Sequence, residues 1–525
     1  MQCVQSDQER DNLADERFRS TRAARRFIDP LLGSYIEFQG ARWHVTWPSE
    51  RVARLAVARE REPMKVLFTV WPFSGHVLPC LSLARTLKSH GHEVAFYTGA
   101  AARGTVEREG FACFPFKALA DRVAELTGSV DHSDHAELYA LLTERYTNVA
   151  EKNPLKKLRR IQDMYQEMVV GTVAAQVADQ SGILADWRPD LVLTDAFMWG
   201  PVLILREKQD ASVVVFSFFA GCMIPGSGAP PHGFGLPRPR NWLTRALTRA
   251  AGTIALRATK RVRLAANQVR REHGLEPLPS TYFEWVGQMP LHLVASSPEY
   301  DYERRDLPAS VHYVGPCVYD PPSASEGQSW DETLTPARPV VYVTEGTCQV
   351  RRPLLLRAAA EGLGGLPLQV VMTTGRQRDP GSLELGPLAS NIIVESWVVQ
   401  SELLPKCSVV VTNGGSGTVR AALARGVPLV VVPMEWDQLE NAQRVVEAGA
   451  GLRISPRRCN AKRLRAAVES VLTKPSFAEN ARRIAASFSR YDQGHDAARL
   501  LESVHARRYV APAFSSAGIS DGRTE

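Results

Sequence analysis

Short apolar runs alternate with helical patterns along most of the chain. Each run is rich in β-branched and aromatic residues, and most are followed by a turn and then by apolar residues three or four positions apart. The predicted strands are 65–71, 92–99, 190–197, 211–218, 339–344, 368–374, 391–396, 408–413 and 428–433. This alternation predicts an α/β fold in which parallel, doubly wound sheets carry helices on both faces.

The strands fall into two groups, which predicts two Rossmann-like domains. The predicted divisions are an N-terminal extension that is poorly ordered (1–63), an N-terminal domain (64–316), a linker (317–337), a C-terminal domain (338–475), C-terminal helices (476–508) and a frayed tail (509–525). The loop at 225–240 is dense in Pro and Gly, and a long helix follows at 241–273. Two such sheets place a cleft between the carboxyl ends of their strands, where doubly wound sheets bind ligands.

The first 63 residues differ in composition from the rest, since they carry 11 Arg and no Lys. The first predicted strand begins at Lys65, directly after Met64. We therefore expect Met64 to serve as the true start, and residues 1–63 to be a dispensable extension or an upstream reading frame.

The net charge of +7, from 63 basic and 56 acidic residues, is too mild to indicate a nucleic-acid-binding protein. One segment, 238–271, has ten basic and no acidic residues and more than accounts for that charge. Its apolar residues recur at near-helical spacing: Leu243, Leu247, Ala250, Ile254, Ala258, Val262 and Val269. The simpler interpretation is an amphipathic helix. Its basic face would be solvated, and its apolar face would cover the core of the N-terminal domain. The alternative is a peripheral contact with anionic lipid or with an acidic acceptor.

Cysteine usage and hydropathy favour a cytoplasmic protein. The eight cysteines include no CxxC pair, the polar N-terminus lacks the apolar stretch of a secretory signal, and no uncharged apolar run reaches about 18 residues. We therefore expect no transmembrane segment. The sequence indicates no oligomeric state.

Two Gly-rich turns follow strands of the second domain. In the first, a strand ends at Thr412, the turn spans Asn413 to Gly417, and a helix starts at Thr418. Glycines allow a close approach of the backbone, and the N-terminus of a helix attracts anions. No GK[ST] follows, so this is not a Walker loop. The second turn, 345–347, follows the strand at 339–344, and two such turns together predict a diphosphate site.

His76 and Asp195 are candidate catalytic residues in the first domain. His76 lies in the turn PFSGH after the first strand, and Asp195 ends the strand segment DLVLTD at 190–195, so both face the predicted cleft. Histidine accepts a proton readily near neutral pH, and an aspartate on the other ring nitrogen fixes the tautomer. Either residue alone is equally well explained as a turn or capping residue, whereas the pair favours a general base.

The segment from Trp397 to Gln438 resembles the donor signature of family 1 glycosyltransferases, which have the GT-B fold and include plant secondary-product and bacterial macrolide enzymes. The similarity rests on WVVQ at 397–400, TNGGSGT at 412–418 and PMEWDQLENA at 433–442, and extends from Met64 to about Val504. The resemblance implies that Trp397 stacks on the nucleotide base and that Gln400 bonds the base or ribose. It implies that Asp437 and Gln438 bind sugar hydroxyls. The residues it implies at the diphosphate are Thr347, Asn413, Gly414, Gly415, Gly417 and Thr418.

The resemblance also assigns His76 as the base and Asp195 as its carboxylate partner in an inverting transfer. The chain has no Asp-X-Asp motif, so we expect neither a metal nor another cofactor. Two positions depart from the family pattern: Asn413 stands where His is usual, and Ala421 where Glu is common. The polar cluster 131–135 (DHSDH) is expected to be a solvated loop in the variable acceptor region, not a metal site.

The expected function is transfer of a glucose-like hexose from UDP or dTDP to a hydroxyl of a small lipophilic acceptor such as a polyketide, phenolic, terpenoid or lipid. Gln438 favours the glucose-like sugar. Two alternatives remain: a nucleotide-sugar epimerase of similar shape, and a non-catalytic nucleotide-sugar-binding protein.

Overall fold

A computed structural model describes most of the chain between 62 and 515, together with three earlier strand segments, 27–28, 35–39 and 42–46. Outside the described residues within 62–515 lie 129–140, 143, 147–152, 220, 227, 320–328, 347–352, 376–378, 384 and 493. The three earlier segments, β1 (Phe27–Ile28), β2 (Tyr35–Gln39) and β3 (Arg42–Thr46), form a small antiparallel sheet. No strands were predicted in this part of the extension.

The N-terminal domain contains a sheet of seven parallel strands. They are β4 (Lys65–Thr69), β5 (Glu93–Thr98), β6 (Ala112–Pro115), β7 (Leu191–Asp195), β8 (Val213–Ser217), β9 (His292–Val294) and β10 (Val311–Tyr313). Their order is β10-β9-β8-β7-β4-β5-β6. The chain reverses its direction of winding between β4 and β7, and this switch point brings the ends of these two strands together.

The C-terminal domain contains a second sheet of six parallel strands. They are β11 (Val340–Thr344), β12 (Gln369–Thr373), β13 (Ile392–Glu395), β14 (Cys407–Thr412), β15 (Leu429–Val431) and β16 (Gly451–Arg453), in the order β13-β12-β11-β14-β15-β16. Their valine-rich central residues are buried on both faces, as parallel sheets between helical layers require. The predicted α/β class with two doubly wound sheets is confirmed.

Helices cover both sheets. They are α1 (Ser74–Ser89), α2 (Ala100–Arg108), α3 (Ala118–Thr127), α4 (Pro154–Met164), α5 (Val173–Asp186), α6 (Arg206–Lys208), α7 (Trp242–Glu272), α8 (Tyr282–Trp285), α9 (Ser329–Thr333), α10 (Leu354–Leu363), α11 (Gln400–Leu403), α12 (Ser416–Ala424), α13 (Gln438–Glu447), α14 (Ala461–Thr473), α15 (Pro475–Phe488) and α16 (His495–Ser515). Two π-helical segments, Tyr165–Val170 and Pro201–Leu205, extend α4 and precede α6. None of the helices in the described part of the chain is long and apolar enough to cross a membrane.

The C-terminal helices return the chain to the first domain. Helix α15 packs Ala481, Ile484 and Phe488 into the core of the C-terminal domain. Helix α16 then packs Ala497 and Leu501 into the core beneath the seven-stranded sheet. The two domains are therefore joined twice, once by the linker and once by these helices.

Several boundaries differ from the sequence predictions. The strands β6, β9, β10 and β16 were not predicted, because three or four residues are too few for a periodic pattern. Helix α16 continues to Ser515, past residue 508, where a frayed tail was predicted. The long helix at 241–273 is confirmed as α7, but its predicted core-facing stripe is partly wrong: Val262 is buried, whereas Leu243, Leu247 and Ile254 are exposed.

Candidate active site

His76 and Asp195 meet at the carboxyl edge of the seven-stranded sheet. His76 lies in the first turn of α1, just after β4, and Asp195 is the last residue of β7, the parallel neighbour of β4. His76 Nδ1 lies 2.6 Å from Asp195 Oδ2. The aspartate is fully buried, while the imidazole remains partly exposed. The two residues that the sequence paired are therefore in hydrogen-bonding contact.

The backbone fixes the Asp195 carboxylate, and the carboxylate fixes the imidazole. Asp195 Oδ1 accepts a hydrogen bond from the Phe197 N–H at 2.8 Å, and Oδ2 accepts a longer one from the Trp71 N–H at 3.4 Å. When Nδ1–H of His76 donates to this carboxylate, the lone pair is left on Nε2, which is the tautomer that a general base needs. Phe218 packs on the ring, with 4.3 Å between centroids.

His76 lies on the wall of a cavity of about 420 Å³ between the two domains. The N-terminal domain contributes mainly apolar and aromatic side chains, including Trp71, Tyr165 and Phe197. The C-terminal domain contributes Trp397 and the Gly-rich turn after β14. One side of the cavity therefore suits a lipophilic molecule, and the other suits a polar, anionic one.

The Gly-rich turn has a conformation that requires glycine at one position. Gly414 has a φ of +94°, and a Cβ atom there would lie 2.7 Å from Val431 Cγ1. Helix α12 begins two residues later at Ser416, and Gly415, Gly417 and Thr418 line the cavity. The N–H groups in the first turn of a helix lack intrahelical partners, and together with the helix dipole they attract an anion.

Asn413 ties the two Gly-rich turns together. Its Nδ2 donates to the Glu345 carbonyl at 2.6 Å, and its Oδ1 accepts the Gly415 N–H at 3.4 Å. The amide where the family usually has His therefore stabilises the turns as well as lining the cavity. Thr347, the remaining residue predicted at the diphosphate, lies outside the described residues.

The predicted base-binding residues lie beside this turn. Trp397 is partly buried and lines the cavity. Gln400 Nε2 donates to the Tyr342 hydroxyl at 3.3 Å and lies 3.5 Å from Thr418 Oγ1. Gln400 is thus held between the central strand β11 and the first turn of α12, within reach of the same ligand as Trp397.

The predicted sugar-binding pair begins α13. Asp437 Oδ2 accepts from Ser416 Oγ at 2.7 Å and from Asn441 Nδ2 at 2.8 Å. Gln438 Oε1 accepts the N–H groups of Met434 and Glu435 at 2.8 and 3.0 Å. Asp437 Oδ1 and Gln438 Nε2 are left without a partner among the described residues, so an acceptor and a donor remain for ligand hydroxyls.

Two further cavity residues were missed by sequence reasoning. Trp436 has a φ of +54°, which is strained for a bulky side chain, and it lines the cavity beside Asp437. Its place inside the motif PMEWDQ could have indicated it. His232, in the loop at 225–240, also lines the cavity, and burial lowers its pKa from the ordinary value.

The loop that carries His232 is hydrogen-bonded to α13, the helix that begins with the predicted sugar-binding pair. Glu440 Oε1, in α13, accepts the N–H groups of Gly233 and Gly235 at 3.0 and 2.7 Å. Burial alone would raise the pKa of Glu440, but His232 and Arg444 lower it. The carboxylate therefore stays charged and connects the two sides of the cavity.

A cluster of His and Glu side chains lies away from the cavity. His90 Nδ1 and His92 Nε2 lie 2.8 and 3.0 Å from Glu502 Oε1, and they join the turn between α1 and β5 to α16. Burial opposes ionisation of Glu502, yet the two histidine hydrogen bonds lower its pKa. The polar cluster 131–135, considered above as a loop, lies outside the described residues.

Comparisons with known proteins identify the family. Residues 361–499 match the family model described as "Erythromycin biosynthesis protein CIII-like, C-terminal domain". The chain is 32% identical over 447 residues to the 4'-demethylrebeccamycin synthase of Lentzea aerocolonigenes, covering 84% of this chain and 99% of that protein. It is 25% identical over 413 residues to the demethyllactenocin mycarosyltransferase of Streptomyces fradiae, covering 78% and 79% of the two chains.

Solved structures give the same fold. The calicheamicin glycosyltransferase superposes with a TM-score of 0.59 at 22% identity, over 88% of this chain and all of that one. A glycosyltransferase of Streptomyces sp. SF2575, complexed with thymidine diphosphate, superposes with a TM-score of 0.57 at 21% identity, over 84% and 99%. Together with the relative that is 32% identical along nearly its whole length, these matches show that the chain belongs to the family 1 glycosyltransferases of the GT-B fold.

Proposed function

We propose that the protein moves a hexose from a nucleoside diphosphate to a hydroxyl of a small lipophilic acceptor by a single inverting displacement. The observation that carries this proposal is the 2.6 Å contact between His76 Nδ1 and Asp195 Oδ2 on the wall of the cavity between the domains. A histidine oriented in this way removes the proton from the acceptor hydroxyl as the oxygen attacks the anomeric carbon. The Asp195 carboxylate stabilises the imidazolium that forms.

The first turn of α12 would receive the departing diphosphate. The negative charge that develops on the leaving oxygen would lie where backbone N–H groups and the Thr418 hydroxyl line the cavity. Donors that are already oriented before reaction stabilise such charge without reorganising. On this mechanism the diphosphate needs no metal ion, and addition of EDTA should leave the rate unchanged.

The donor we propose is a UDP- or dTDP-linked, glucose-like sugar. Trp397 offers an aromatic face to a pyrimidine, and either uracil or thymine fits that contact. The glycosyltransferase complexed with thymidine diphosphate supports a pyrimidine diphosphate. Asp437 Oδ1 and Gln438 Nε2 offer an acceptor and a donor to sugar hydroxyls.

The acceptor we propose is lipophilic and small, such as a polyketide, phenolic, terpenoid or lipid. Trp71, Tyr165 and Phe197 supply aromatic surface on the acceptor side of the cavity. Binding against this wall stabilises an apolar acceptor because it removes apolar surface of the acceptor from water. One hydroxyl of the acceptor would then be placed at His76.

The test is a transfer assay with UDP- and dTDP-glucose and a panel of phenolic and macrolide acceptors, with and without EDTA. A product that is heavier than the acceptor by one transferred hexose supports the proposed transfer. A β linkage in the product formed from an α-linked donor supports inversion. An epimerase would instead convert the donor in the absence of any acceptor. A non-catalytic binding protein would bind the donor and leave both substrates unchanged.

A further inference from the structure

Helix α7 leaves a row of large apolar side chains in contact with solvent. Leu243, Leu247 and Ile254 are 51%, 43% and 41% exposed. Their spacing of four and seven residues places them along one line of the helix. Trp242 is 79% exposed at the start of the same helix, and Leu256 and Leu264 are exposed farther along it. Several large apolar side chains exposed along one helix indicate an interaction site.

The exposed face belongs to a firmly anchored helix. Asn241 forms a capping box with Thr244 at the N-terminus, which satisfies the N–H groups of these two residues. Near the C-terminus, Arg270 makes two hydrogen bonds to Glu207, at 2.9 and 3.1 Å. Most of the buried positions lie toward this end, so the first half presents its apolar residues outward from a fixed base.

The exposed side of α7 also carries unneutralised positive charge. Five exposed basic side chains form no ion pair with any residue in the described ranges: Arg245, Arg249, Arg257, Lys260 and Arg261. No acidic residue occurs between 238 and 271 that could neutralise them from within the segment. The surface is therefore complementary to an anionic partner.

We propose that α7 docks the protein on an anionic phospholipid surface. The apolar row would enter the boundary between headgroups and acyl chains, while the Arg side chains extend along it to reach the phosphates. With a 100° step per residue, Arg257 and Arg261 continue the line of Leu243 and Ile254, so charged and apolar groups are interleaved. A headgroup layer satisfies both kinds of group at once.

The position of α7 gives the docking a structural context. Gln162 Nε2, in α4, donates to the Ala258 carbonyl of α7 at 3.0 Å. The neighbouring residues Ile161, Met164 and Tyr165 line the acceptor side of the cavity. The docking face and the apolar cavity wall are thus supported by the same pair of helices. The proposal concerns binding alone and stands whether or not the proposed reaction is correct.

Vesicle flotation of the full-length protein tests this proposal. We expect binding to vesicles of phosphatidylcholine with 30% phosphatidylglycerol, release of the bound protein in 0.5 M NaCl, and little binding to phosphatidylcholine alone. The triple variant R249E/R257E/R261E should partition onto the anionic vesicles at least 100-fold more weakly. The variant L243S/L247S/I254S keeps every charge and should still lose about 10-fold or more.

The matched control is K462E/R463E/R482E, which makes the same change in net charge on exposed residues of the C-terminal domain. We expect it to bind the anionic vesicles within about threefold of the unsubstituted protein. The proposal is overturned if the unsubstituted protein fails to float with anionic vesicles, or if the control loses as much binding as the α7 variant. A dimer in solution that L243S/L247S/I254S dissociates would also overturn it, because the apolar row would then be an interface between two copies.

Discussion

Arg444 in α13 donates from Nε to Asp301 Oδ1 across 2.9 Å, and both side chains are buried. Asp301 follows β9 in the N-terminal domain, whereas α13 begins with the predicted sugar-binding pair of the C-terminal domain. Arg444 Nη1 also donates to Glu440 Oε2 at 2.8 Å. Burial alone would lower the pKa of Arg444, but attraction to Asp301 and Glu440 raises it. One guanidinium therefore joins the two domains beside the cavity.

Replacing Arg444 by Leu should destabilise the protein strongly. The change leaves Asp301 and Glu440 buried without their cation, and removal of one partner from a buried pair costs about 3–5 kcal/mol. Arg465→Leu is the matched control, because Arg465 forms an exposed i,i+4 pair with Glu469 that contributes about 0.5 kcal/mol or less. Urea unfolding should separate the two variants clearly. Equal stability of both would show that the buried pair is not what joins the domains.

This contact illustrates which features the sequence could not provide. Arg444 and Asp301 lie 143 positions apart. Neither belongs to a local pattern, so only the folded chain brings them together. His76 and Asp195 are also distant, but each ends or follows a strongly β-branched strand, and the topology of a doubly wound sheet places both at one edge. The sequence could predict a pair of that kind.

The apolar stripe on α7 shows a second limit of prediction from sequence. Helical periodicity correctly predicted the helix and its apolar line, but periodicity does not say what covers a face. Val262 is buried, whereas Leu243 and Ile254, which lie about a quarter turn away from it around the helix by the 100° step per residue, are exposed. The prediction that this line packs on the core was therefore wrong over its first half.

Replacing Asp195 by Asn should reduce turnover about 100-fold or more while preserving the fold. The Asn carbonyl can still accept the Phe197 N–H, which places its NH₂ group at His76 Nδ1. That geometry moves the imidazole proton to Nε2 and removes the base. Steady-state kinetics would measure the loss, and donor titration should give an unchanged Kd. Turnover within threefold of the unsubstituted enzyme would contradict the role of Asp195.

Gly414→Ala and Gly417→Ala should differ sharply. At Gly414 the φ of +94° and the 2.7 Å approach to Val431 Cγ1 make a methyl group unfavourable, so we expect a loss of about 1–3 kcal/mol and weaker nucleotide binding. At Gly417, within the first turn of α12, a Cβ atom meets nothing within 4 Å, and stability should be retained or slightly raised. Thermal unfolding with and without dTDP compares them. If Gly414→Ala is as stable as Gly417→Ala, the tight turn is not required.

Acid should destabilise the protein through a buried histidine. Burial lowers the pKa of His292 in β9 to about 4. The unfolded chain therefore binds more protons than the folded protein between about pH 4 and 6.5, and stability falls as the pH falls through that window. The slope from this residue approaches about 1.4 kcal/mol per pH unit. His292→Gln should flatten the dependence of the thermal midpoint on pH between 6.5 and 5, and an unchanged slope would refute this assignment.

The most direct test of the central claim is the rate of transfer by His76→Ala with UDP- or dTDP-glucose and an accepted phenol or macrolide. Because His76 is the proposed base and makes no contact with the Gly-rich turn among the described hydrogen bonds, turnover should fall about 10²- to 10⁴-fold while the Kd for the nucleoside diphosphate stays unchanged. Turnover close to that of the unsubstituted enzyme would contradict the assignment of His76 as the base.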